Sequence, residues 1–103
     1  MINTLITNAF IAAVIALGSP SPCPMPHVVF NSDIITHECQ RAARHGYSAK
    51  ACYRSGTQTI ILRSLWNGTG DDLGVLDYEM RRHVTMSCLH KPFNPDNEDW
   101  HTQ

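Results

Sequence analysis

Glu79 and His83 lie four residues apart in the run Asp77-Tyr78-Glu79-Met80-Arg81-Arg82-His83. On a helix that spacing places both side chains on one face. A carboxylate beside imidazoles can hold a zinc ion and take a proton from a water bound to it. His90, further along, falls near the same face, so Glu79, His83 and His90 together could supply a carboxylate and two imidazoles. Seven residues of helix rise about 10.5 Å, too far for His83 and His90 to share one ion unless the helix ends or bends first. Without a metal, Glu79 is expected to pair with Arg82 or His83, and both histidines to be surface side chains. His37-Glu38 is a similar fragment without a second histidine, and reads as a solvated pair.

The hexapeptide Tyr78-Glu79-Met80-Arg81-Arg82-His83 resembles the active-site helix of small zinc peptidases, the zincins. Their signature is His-Glu-x-x-His, extended in some small families to His-Glu-x-x-His-His. Laid on that pattern without a gap, Tyr78 and Arg82 stand where the two zinc-binding histidines would be. Glu79 keeps the general-base position and His83 the additional histidine. A phenol is a weak substitute for imidazole, and a guanidinium cannot donate to a metal at all. The resemblance therefore implies a peptidase frame without its metal. The groove of such a frame is expected to bind a protein or peptide partner, through Tyr78, Arg82 and His83, with no cofactor. One alternative is an active zinc metallopeptidase with displaced ligands Glu79, His83 and His90, Glu79 being the catalytic base. Another is a secreted structural domain in which the similarity is accidental and the Arg82 stem packs on the Tyr78 ring.

These residues need a helix, and the sequence supplies one. Asp71-Asp72 is an acidic start, Arg81, Arg82, His83 and Lys91 are the basic end that the helix dipole favours, and Lys91-Pro92 is a stop. Leu73, Leu76, Met80, Val84 and Cys88 form its core stripe. Upstream, Thr57 to Arg63 is rich in β-branched residues and follows Ala51-Cys52-Tyr53-Arg54 across a short Ser55-Gly56 turn, which predicts an antiparallel hairpin. His27 to Phe30 reads as a strand, and Ile34 to His45 as an amphipathic helix capped by Asn31-Ser32-Asp33 and stopped at Gly46. The expected fold is a small α+β domain ordered strand, helix, hairpin, long helix, which is also the order of minimal zincin domains. It spans residues 28–92, with a polar tail at 93–103.

Residues 1–18 carry a mostly apolar run of about 13 residues, Leu5 to Leu17, that closes in Ala16-Leu17-Gly18, the length and ending of a signal peptide. No Lys or Arg precedes the run, and it falls short of the roughly 20 residues needed to cross a bilayer. The other reading is a buried helix of a cytoplasmic domain. Residues 19–27 form a Pro-rich lead-in without helix potential. Cleavage would leave about 85 residues, a size at which disulfides matter to stability. The four cysteines, Cys23, Cys39, Cys52 and Cys88, all follow the cleavage point. They allow three pairings, among which the sequence does not choose. The expectation is Cys39 with Cys52 and Cys23 with Cys88. No Cys-x-x-Cys suggests zinc instead. The chain is thus expected to be secreted or periplasmic, with no stable membrane insertion after cleavage. A net charge of -1 and a pI near 6.6 provide no basic field for nucleic acid.

Overall fold

The computed structural model describes residues 1–39 and 50–93. The second half of the expected 34–45 helix, with its stop at Gly46, and the tail from residue 94 onward lie outside the described residues. The chain folds as a small α+β domain. Helix α1 (Ile2–Leu17) precedes strand β1 (His27–Phe30). A short helix α2 (Ser32–Ile34) continues as a π-helical turn over Ile35–Cys39. The hairpin strands are β2 (Ala51–Arg54) and β3 (Thr59–Leu62). Helix α3 (Asp72–His83) then widens into a second π-helical turn over Val84–Cys88.

The sheet order is β1-β3-β2, with β1 parallel and β2 antiparallel to β3. Strand β3 is therefore central, and Ile60, Ile61 and Leu62 are all at most 1% exposed. Alternation divides its side chains between two faces. Ile60 and Leu62 join Tyr53, Trp66, Leu76, Met80 and Val84 in the main core, while Ile61 packs with Ile35 and Cys39 on the other side. Cys52 pairs in register with Ile61, which points its sulfur toward α2 and the disulfide with Cys39. A second disulfide joins Cys23 to Cys88, tying the Pro-rich lead-in to the end of α3. Closing loops of 13 and 65 residues, the two bridges restrict the unfolded chain by about 3 and about 4 kcal/mol respectively.

Helix α1 is part of this packing. Ile6, Ala9 and Ala13, on one face of the helix, are buried in the same cluster as Leu76, Met80 and Val84. Gly18 ends the helix in a left-handed conformation (φ 65°), its N–H bonding to Ile15 O, while the Ser19 N–H reaches Val14 O. No described helix is long and apolar enough to cross a membrane.

Candidate functional site

The loop from β3 to α3 fixes where the helix begins. Arg63, directly after β3, donates from Nε to Asp72 Oδ1 at 3.0 Å and from Nη2 to Oδ2 at 2.8 Å. The backbone N–H groups of Asn67 and Gly68 reach the same Oδ2 at 3.0 and 3.2 Å. Trp66 Nε1 donates to the Asp72 carbonyl at 3.0 Å. Asp72 is buried, and these partners, the Arg63 hydrogen bonds foremost, hold its carboxyl below the ordinary aspartate range despite burial. An acidic cap was expected here; what the loop builds is a buried carboxylate that fastens sheet to helix.

Two turns on, α3 carries its other buried polar residues, Glu79 and His83, 2% and 0% exposed. His83 is not the surface side chain expected of it, whereas Glu79 makes the expected pairing with Arg82. Leu73, placed in the core stripe, is 43% exposed instead. The apolar face is rotated because it must meet both the sheet and α1, so positions 79 and 83 enter the interior. Glu79 Oε1 has no hydrogen-bond partner among the described residues. The nearest cation is the Arg82 guanidinium, with Nη1 3.7 Å from that oxygen. Burial pushes the Glu79 carboxyl up from 4.5 to about 7, the Arg82 charge opposing.

His83 is held at both nitrogens. Nε2 lies 2.7 Å from the Pro24 carbonyl and Nδ1 2.8 Å from the Tyr53 hydroxyl, which in turn lies 2.5 Å from Ser87 Oγ. A carbonyl can only accept, so Nε2 carries the proton. In the neutral ring Nδ1 then accepts from Tyr53, and Ser87 donates to the Tyr53 oxygen. Burial favours that neutral ring by lowering the His83 pKa, with the Pro24 bond opposing, and it raises the Tyr53 pKa. Tyr53 reaches this network from the inward face of β2, and Phe10 of α1 lies 6.3 Å from the imidazole.

The residues at the two ligand positions face away from this interior. Tyr78 meets the Phe93 ring edge-on at 5.4 Å, and the Arg82 guanidinium lies 5.9 Å above the same ring. The expected stacking of Arg82 on Tyr78 is thus mediated by a third group, the first residue of the polar tail. Of the three residues assigned to partner binding, Tyr78 and Arg82 share this half-buried patch and His83 does not. His90 is exposed, with a positive φ of 55° beyond the end of the π turn. Among the described residues, the one group with ligand atoms close enough for a metal is Cys23, His83 and Cys88, not Glu79, His83 and His90. His37 and Glu38 are exposed, and Glu38 pairs with Arg54 of β2.

A shallow groove of about 340 Å³ runs along Ser32, Thr36, Lys50, Arg63, Asp71 and Val75, none of them part of the His83 network. Lys50 and Asp71 pair within it, so its charges are already matched. Tyr53, Ser87, Arg63, Asp72 and Phe93 all escaped the reading of the sequence as site residues. Only Tyr53 had a usable signal, as the aromatic at the inward-facing position of a strand. Compared with family models, curated proteins and solved structures, the chain matches none.

Proposed function

We propose that this chain is an exported, disulfide-stabilised domain with the element order of a zincin, and that it binds a protein or peptide rather than cleaving one. The observation that carries the reading is α1 lying on α3. Residues 2–17 contain no charged side chain, and they bury Ile6, Ala9 and Ala13 against Leu76, Met80 and Val84. Removal of residues 1–18 as a signal peptide leaves that apolar face to an uncharged helical segment of a partner, which repeats the same contacts. Tyr78 and Arg82, which meet around Phe93, are of the residue types that most often anchor a protein interface.

Loss of catalysis is supported by Arg82. Its fixed positive charge stands next to Glu79, where the peptidase pattern would have the metal. The test uses protein recovered from the medium or periplasm of an expressing host. Its N-terminus is expected at residue 19, and it is expected to bind an uncharged amphipathic helix and to leave peptides intact. Recovery with residues 1–18 still attached, or peptide cleavage that a chelator abolishes, contradicts the proposal.

A further inference from the structure

The Cys23–Cys88 disulfide ends beside His83. The sulfurs of Cys23 and Cys88 and one ring nitrogen of His83 all lie within 4.8 Å of one another, and the histidine is fully buried. Sequence separation hides this group, because Cys23 is 65 residues from Cys88. The fold creates it twice over. The disulfide brings in the lead-in segment, and the π turn over Val84–Cys88 joins i to i+5, as in the Leu89 N–H to Val84 O bond of 2.9 Å, setting Cys88 about one turn below His83.

We propose that this tether has a second, metal-held state: when the Cys23–Cys88 bond is reduced, the two thiolates and one nitrogen of His83 bind a single zinc ion, which joins the lead-in to the end of α3 in the disulfide's place. Two cysteines and one histidine with a fourth position left to water is a recurrent zinc donor set. The surroundings suit it from either side. If Nε2 takes the metal, the Nδ1–H donates to the Tyr53 oxygen, which Ser87 already orients. If Nδ1 takes it, the Nε2–H keeps its bond to the Pro24 carbonyl. Whichever nitrogen binds, the other has a built oxygen partner, the arrangement that fixes ring orientation in zinc sites. The chemistry balances with a dithiol reductant: its two thiols become a disulfide, Cys23 and Cys88 become thiols, and zinc displaces their two protons to solvent. The Cys39–Cys52 pair packs on the other face of the sheet and serves as an internal control.

The experiment reduces the unmutated chain with a phosphine under argon, adds one equivalent of zinc, alkylates with a maleimide and maps the modified cysteines by mass spectrometry. Cys39 and Cys52 are expected to react freely. Cys23 and Cys88 are expected to react at least tenfold more slowly, with the protection lost on adding a strong chelator. Zinc X-ray absorption on the same sample is expected to count two sulfurs near 2.3 Å and at least one nitrogen. His83→Ala is expected to lose at least tenfold of the protection. Equal reactivity of all four thiols with zinc present, protection of Cys39 and Cys52 instead, or a shell without nitrogen overturns the proposal, whether or not the His83 variant folds.

Discussion

Asp72 and Glu79 stand two turns apart on α3, both buried, and their carboxyl groups are in opposite conditions. Asp72 receives two hydrogen bonds from Arg63 and two from backbone amides, and stays ionised below the usual aspartate range. Glu79 has an oxygen without a hydrogen-bond partner among the described residues and a guanidinium 3.7 Å away, and burial lifts it to about 7. Both oxygens of the Asp72 carboxylate are matched, as in structural anchors. The Glu79 carboxyl is left incomplete beside the one face that α1 covers. Unsatisfied buried groups cost stability and persist where something other than stability is served. That contrast separates the front of α3, which holds the fold, from its middle, where the proposed function places the site.

Breaking the anchored end has the largest expected effect. Asp72→Ala strands the Asn67 and Gly68 amides and the Arg63 fork, and is expected to cost about 3 kcal/mol in chemical denaturation at neutral pH. The folded value of Asp72 lies below its unfolded one, so its stabilisation is present above pH 3.8 and fades as pH falls through the lower folded value. An Asp72→Ala loss that is as large at pH 2 as at pH 7 breaks the comparison from this side.

Glu79 has the reverse sign. Its folded value of about 7 exceeds 4.5, so the native state favours the protonated acid. That contribution is complete below pH 4.5 and is lost as pH rises through 7, an interval worth up to about 3 kcal/mol. Glu79→Gln keeps the neutral shape and is expected to be more stable than the parent by that order at pH 8 and equal to it at pH 4. Denaturation at the two pH values checks this; a variant destabilised at pH 8 shows that the carboxylate is matched after all.

Smaller effects sharpen the picture. Tyr53→Phe removes the donor to His83 Nδ1 and is expected to cost about 1 to 2 kcal/mol, read by thermal unfolding. Arg82→Gln leaves stability within about 1 kcal/mol at pH 5, since the guanidinium is partly exposed, but moves the Glu79 transition upward. NMR titration of the Glu79 carboxyl measures that movement, and an unchanged midpoint removes Arg82 from the site.

Much of the framework was legible because it rests on local signals. β-Branched residues marked β1 and β3, the short Ser55-Gly56 turn marked β2 as the other arm of the hairpin, and the apolar spacing with an acidic start and Lys91-Pro92 marked α3. What escaped depends on which face meets what. One helical period serves Leu76 and Glu79 equally, and nothing local says that α1 and the sheet together turn Glu79 and His83 inward while Leu73 stays out. The widening of α3 into a π turn has no pattern in Val84 to Cys88 to announce it. Tyr53, Pro24 and His83 meet only in three dimensions, across 30 and 59 residues of chain.

The most direct measurement of the central claim follows Trp66, buried in the cluster that α1 covers, in exported protein lacking residues 1–18. It is titrated with a peptide of residues 2–17 bearing solubilising lysines at its ends. The account predicts a saturable one-to-one change in fluorescence in the micromolar range, abolished when Glu replaces Ala9 and Ala13 in the peptide. No saturation by a folded, oxidised protein, or equal binding of the Glu-substituted peptide, contradicts it.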